Sequence, residues 1–384
     1  MLSRAKFLRL AGLLGGTAAY AAFLQACQKA GLVTTFTAPA AQKPAGTHLP
    51  VTEQAEITLE SPEDTPTAVE TPQPVQTADK NLARVALIKT TDRASGVRRA
   101  VGLLGDLPVR GRSIFLKPNF NSSDPAPGST HPDVLSSLVL LLQEMGASSI
   151  TVGDRSGMGD TRGVMEDLGI FELGKKLGFE TVVFDELPAE SWVKFDPPGS
   201  HWKQGFYLAR PCLDCGALVQ ACCLKTHRFG GHFTMSLKNS VGMVAKKVPG
   251  IRHDFMNELH TTTSQRYKIA EVNSAYQPAL IVMDGVEGFS SGGPASGKLI
   301  RPEVILAGTD RIAMDAVGVA ILRYFGTTRQ VSEGPIFELE QIKRAVELGL
   351  GVDSPEMIEI VTDDQAGADF AEEITPILVC RAGC

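Results

Sequence analysis

The stretch "LKTHRFGGHFTMSLKN" (224–239) places Lys225, His227, Arg228, His232, Lys238 and Asn239 close together with no acid among them. The gap is wider than this stretch. No Asp or Glu occurs from Cys215 to His253, while Lys225, Arg228, Lys238, Lys246, Lys247 and Arg252 do. In a chain of net charge -6, such a gap is a local positive field. Ammonium groups beside an amide suit a small carboxylate or phosphate. Lys225 and Lys238 would hold its charge, and Asn239 would orient it by hydrogen bonds. His227 is the candidate for moving a proton. Gly230 and Gly231 could bring backbone N–H groups up to an anion, as nests do. The competing reading is a solvated basic face, or ion pairs with acids elsewhere in the chain.

These residues need a frame. "ARVALIKT" (83–90), "SIFLKPNF" (113–120), "SITVGD" (149–154) and "ETVVFDE" (180–186) read as buried strands. Helical patterns at 95–107, 131–147 and 164–178 separate them. In the second, Pro132 and Asp133 suit the first turn and Gly146 the stop. Strands are also expected at 205–211, 216–224, 278–285, 303–310, 356–362 and 374–380. Helices are expected at 311–326 and 336–349. Strand and helix alternating at this spacing predict an α/β fold, a mostly parallel sheet with helices on both faces, in one or two lobes.

In open α/β sheets, ligands bind outside the carboxyl ends of the strands. That rule gathers Lys117, Asn119 and Asn121 after one strand, and Asp154 and Ser156 after the next. Lys225 and His227 follow another, and Asp284 and Asp310 end two later ones. Lys117 joins the anion-binding set and Asn119 the orienting set. Asp154, Asp284 and Asp310 would orient lysines or supply oxygen ligands to a divalent cation. Each residue taken singly could equally be a cap or turn former. "GFSSGGPASG" (288–297) matches no phosphate-binding fingerprint and reads as a mobile loop near Asp284.

The chain has 384 residues, 43% of them hydrophobic. That suffices for one large domain or two modest ones. Few aromatics (6%) and an acidic balance argue against nucleic acid as a partner. The start, "MLSRAKFLRLAGLLGGTAAYAAFLQAC", combines basic residues, an apolar run too short to span a bilayer, and small residues before Cys27. It reads as a signal segment over 1–27 with Cys27 as lipidation site. The globular part would then be exported and anchored to the outer face of the bacterial cytoplasmic membrane. Residues 28–80, rich in Thr, Pro, Ala and Glu, read as a disordered tether. The globular domain is expected over 81–384. Seven cysteines, less Cys27, leave an even number, which favours disulfides in an exported protein. Cys212 with Cys215, and Cys380 with Cys384, are the local pairs. An iron–sulfur cluster on Cys212, Cys215 and one of Cys222 and Cys223 is the competing use.

"KPNFN" (117–121), "THP" (130–132), "VGDRSG" (152–157), "LKTH" (224–227), "SLKNSVGMV" (236–244), "MDGVEGFSSGGP" (283–294) and "AGTDRIAMDAVG" (307–318) together resemble the family known as domain of unknown function 362. Many members carry ferredoxin-type cysteine runs, which implies a redox link. This chain lacks such a run. Lys238 and His253, with "VPGI" (248–251) between them, also resemble nickel-pincer lactate racemase, where a lysine holds the cofactor and a downstream histidine binds nickel. That likeness implies a metal at His253. The leading expectation is an exported protein that binds a small anion, with or without acid–base chemistry. The alternatives are a redox or metal-cofactor enzyme and a non-catalytic binding module.

Overall fold

Strand β1 (Ala83–Lys89) shows how the sheet forms. Val85 and Leu87 project into one apolar layer, Ala86 and Ile88 into the other, and all four are fully buried. A strand buried on both faces belongs inside a helix-covered sheet. The computed structural model describes residues 82–380. The expected signal segment, the tether, Cys27 and Cys384 lie outside them.

The remaining strands are β2 (Ser113–Lys117), β3 (Ser149–Asp154), β4 (Glu180–Val183), β5 (Trp192–Phe195), β6 (Phe206–Ala209), β7 (Ala217–His227), β8 (His232–Thr234), β9 (Pro278–Gly292), β10 (Gly297–Ile300), β11 (Val304–Gly308) and β12 (Ile358–Val361). The main sheet runs β12-β1-β11-β9-β7-β2-β3-β4. Along that path only β11 is reversed; every other adjacent pair is parallel. β8 folds back on β7 and β10 on β9.

Helices cover both faces, as expected. One layer packs Arg93–Gly102, Pro132–Glu144, Thr161–Asp167 and Ile170–Leu177 against the sheet. The other layer holds Ser236–Asn239, Phe255–His260, Gln265–Val272, Arg311–Tyr324, Glu340–Glu347 and Gln365–Val379. Pro132 opens its helix at the first turn, behind His131, whose ring accepts the Asp133 N–H.

Four expectations change. The helix over 164–178 is two, divided at Gly169. The strand expected at 374–380 is the end of a helix. Phe370, Ile374 and Leu378 recur every four residues as its buried stripe, and Asp364 caps its start. β6 does form, but it pairs with β5 in a separate two-stranded sheet. β9 continues seven residues beyond Gly285, so the supposed mobile loop is a β9–β10 hairpin.

Candidate functional site: a cationic cavity at the strand ends

Because β7, β2 and β3 are parallel neighbours, their carboxyl ends meet at one edge. β2 ends on Lys117, with Asn119 and Asn121 following. β3 ends on Asp154, with Arg155 next. β7 carries Lys225 and His227, and the β8 return leads into the short helix with Lys238 and Asn239. All of these side chains line one cavity of about 80 Å³, together with Thr234, His260 and Pro294. That volume admits several waters or a guest of a few heavy atoms.

The bottom is a hydrogen-bonded lattice. Lys117 Nζ lies 2.8 Å from Asp154 Oδ1 and donates to the Pro118 carbonyl. Asp154 also accepts the Phe120 and Arg155 N–H groups at 2.7 Å each. Asn239 Oδ1 accepts from Asn119 Nδ2 at 3.3 Å, and Asn239 Nδ2 donates to the Lys117 carbonyl. Lys225 Nζ donates to Asn119 Oδ1 at 3.0 Å and to the Gly128 carbonyl. Gly242 makes room for the Lys117–Asp154 pair: a Cβ there would overlap Asp154 Oδ1 and lie 2.7 Å from Lys117 Nζ.

The charges do not balance. Lys117, Arg155, Lys225 and Lys238 face a single lining carboxylate, Asp154, which Lys117 occupies. Lys225 is fully buried with only neutral oxygens as acceptors, and burial pushes its ammonium below the ordinary lysine range. Lys238 is half-buried, unlike Lys225, and has no hydrogen-bond or ion-pair partner among the described residues. Burial first, then the charges of Arg155 and Lys225, push it down to about 7. His227 is held neutral by burial and by Lys238 beside it. Its Nδ1 is buried without a partner, as are Asn121 Nδ2 and Thr234 Oγ1 on the same cavity wall. Orphaned polar atoms of this kind are rare in folded proteins and call for an explanation.

Arg155 and Thr234 escaped the sequence reading, and His260 was weighed only as one of four nearby histidines that could hold a metal. Arg155 stood in the quoted "VGDRSG", but only the fold shows its guanidinium buried on the carbonyls of Val241 and Val244. Asp315 was also missed. It is fully buried on the helix Arg311–Tyr324 and accepts the N–H of Ser236 at 2.7 Å and of Leu237 at 3.1 Å. Those bonds fix the first turn of the helix carrying Lys238 and Asn239. Sequence holds only a weak signal for this, an acid inside an otherwise apolar helix.

Three predicted residues lie elsewhere. Asp284 sits within β9 rather than at its end and accepts from Arg93 Nε at 2.8 Å. Asp310 follows the one reversed strand, which carries it to the opposite edge. There it caps the helix Arg311–Tyr324 and accepts the Val352 N–H. His253 pairs with Glu258 at 2.7 Å and lines a different cavity from Lys238. The residues therefore do not fit nickel held between Lys238 and His253. Among the described residues no three His, Cys, Asp or Glu side chains are grouped to hold a metal, so Asp154, Asp284 and Asp310 form no joint cation site. Cys212, Cys215, Cys222 and Cys223 are free thiols, so the expected Cys212–Cys215 disulfide does not form. The Cys215 thiol instead meets the Cys212 carbonyl. Cys380 is disulfide-bonded.

Fold and cavity together define an α/β domain with a small cationic site at the carboxyl ends of parallel strands. Residues 114–320 match the family described as Domain of unknown function (DUF362), and the chain belongs to that family. All the cavity residues named above fall within the match. Among solved structures, the lactate racemase apoprotein from Thermoanaerobacterium thermosaccharolyticum is similar, with 14% identity, 61% of this chain and 55% of that chain covered, and a TM-score of 0.35. A Thermotoga maritima protein is similar at 13% identity, with 56% and 54% covered and a TM-score of 0.36. The chain thus spans little more than half the length of either. No curated protein matches it.

Proposed function

We propose that the protein binds a small anion, a carboxylate or phosphate, in the strand-end cavity. One observation carries this reading: Lys225 and Lys238 share a cavity of about 80 Å³ and neither meets a carboxylate. For the fully buried Lys225, taking an ammonium out of water without a counter-charge is costly, several kcal/mol in effective terms; the half-buried Lys238 bears part of that cost. A bound anion would supply the missing charge. Asn121 Nδ2 and Thr234 Oγ1, orphaned in the same wall, would become its donors. Lys117 would contribute charge from the floor, Arg155 from the side, and Asn119 and Asn239 would hold the lysines in register. His227, with a free ring nitrogen and held neutral by burial, is the group placed to relay a proton.

The redox alternative has less support. Cys212, Cys222 and Cys223 are buried thiols, pushed further from ionisation by desolvation, and they do not converge. Within this proposal the domain works outside the cytoplasm, tethered through a lipid on Cys27. Mass spectrometry of the mature N-terminus tests that part.

The binding test is thermal unfolding with phosphate, acetate, lactate and pyruvate added in turn. At least one should raise Tm, and Lys225→Met and Lys238→Met should each lose the rise while remaining folded. A panel that leaves wild-type Tm unchanged, or variants that keep the full rise, would count against the proposal.

A further inference from the structure

The three cavity lysines are not equivalent. Lys117 Nζ is committed to Asp154 and the Pro118 carbonyl, and Lys225 Nζ to Asn119 Oδ1 and the Gly128 carbonyl. Both serve as engaged donors. Lys238 Nζ alone reaches the cavity with no hydrogen-bond or ion-pair partner among the described residues. Its chain runs past Gly231, where a Cβ would come within 2.7 Å of Lys238 Cε and 3.0 Å of His227 Nδ1. The free amine and the unpartnered ring nitrogen therefore flank the same glycine, beside two fixed ammonium groups and a buried guanidinium.

That arrangement separates two tasks. Engaged cations hold a charge, whereas an unengaged amine can attack a carbon. We infer that Lys238 condenses with the carbonyl carbon of a small 2-oxo acid whose carboxylate is held by Lys225 and its neighbours. The inference rests on the anion-binding reading and names its substrate class. The Lys238 nitrogen lone pair forms the C–N bond, the carbonyl π pair moves to oxygen, and that oxygen takes the proton that nitrogen sheds, giving a neutral carbinolamine. His227 Nδ1, unpartnered beside the same glycine, is placed to relay that proton from nitrogen to oxygen. The carbinolamine hydroxyl then takes a proton from solvent, the C–O bond breaks, the oxygen leaves as water, and a protonated imine remains. One amine, one ketone and one proton from solvent give one protonated imine and one water, and no net oxidation or reduction occurs. The reaction needs the amine unprotonated, and burial, with the charges of Arg155 and Lys225 adding to it, lowers its proton affinity to about 7 and provides that form near neutrality. A cavity of about 80 Å³ suits a guest of a few heavy atoms, such as pyruvate or glyoxylate.

The experiment incubates the protein with pyruvate and sodium cyanoborohydride, then maps modified peptides by mass spectrometry, with Tm read in parallel. The expected result is a reduced pyruvyl adduct confined to the Lys238 peptide, absent with acetate and absent in Lys238→Arg. Lys225→Met should weaken the adduct while leaving Lys238 intact. If pyruvate raises Tm but leaves no reducible adduct, the imine is wrong and anion binding stands. If adducts scatter over surface lysines and persist in Lys238→Arg, the imine is likewise overturned. If no anion raises Tm and no adduct forms, both readings fall.

Discussion

The ammonium of Lys117 lies 2.8 Å from Asp154 Oδ1, with only 1% and 3% of the two side chains exposed. It is the site's internally balanced pair, and it throws the unbalanced Lys225 and Lys238 into relief. Breaking a buried pair by removing one partner strands the other charge, at a cost of about 3–5 kcal/mol. Asp154→Asn should lose stability on that scale in urea unfolding. Gly242→Ala should fall in the same direction, because its Cβ would displace the pair. Near-wild-type stability in both would mean that the pair is not held as described.

Lys238 should behave in the opposite way. It forfeits no partner on removal, so Lys238→Met relieves a desolvation cost. The unliganded variant should gain roughly 1 kcal/mol, raising Tm by about 2 °C for a domain of this size. A gain in stability with loss of anion response separates a functional lysine from a structural one. A large loss of stability would instead mark Lys238 as part of the core.

The pH dependence has two opposed parts. Lys238 is lowered to about 7 from an ordinary 10.5, so between these values the unfolded chain holds the extra proton and stability rises with pH. Below about 7 both states are protonated and the cost of burying the charge is fully present. Asp315 is raised to about 8 from 3.8 by burial, so its contribution is complete below 3.8 and is lost as pH climbs through 8. Urea unfolding across pH should show Lys238→Met without the rise from 7 to 10.5, and Asp315→Asn with a shallower decline from 4 to 8. Slopes unchanged by either substitution would refute the assignments.

Asp315 also places the site. Its two oxygens accept the N–H groups of Ser236 and Leu237, whereas an asparagine offers one acceptor and turns a donor toward the other N–H. Asp315→Asn should therefore speed hydrogen exchange over 236–239 and weaken anion binding, although residue 315 does not line the cavity. Unchanged exchange in that turn would show that the helix is held by other contacts, such as the Asn273 amide on the Leu237 carbonyl.

Much of the site was legible because parallel strands deliver their last residues to one edge. Lys117, Asn119, Asn121, Asp154, Lys225 and His227 follow from that rule alone, and the acid-free stretch adds Lys238 and Asn239. Asp310 misled because strand direction is not written in a short apolar run. "EVILAGTD" reads the same forward or reversed in the sheet, and β11 is reversed. Asp284 misled because β9 continues to Gly292, its glycines reading as loop while forming a hairpin. Arg155 and Asp315 stayed hidden for another reason. Their partners are backbone groups far away in sequence, which only the packed structure brings within reach.

Calorimetric titration of the wild-type protein with pyruvate at pH 7.5, in buffers of different ionisation enthalpy, tests the central claim most directly. An anion beside Lys238 raises its proton affinity, so binding should draw protons from the buffer and the observed heat should change with the buffer. Lys238→Met should abolish that uptake and Lys225→Met should weaken the binding. Binding heats independent of buffer, or no binding at all, would contradict a cavity whose unpaired lysines await a negative charge.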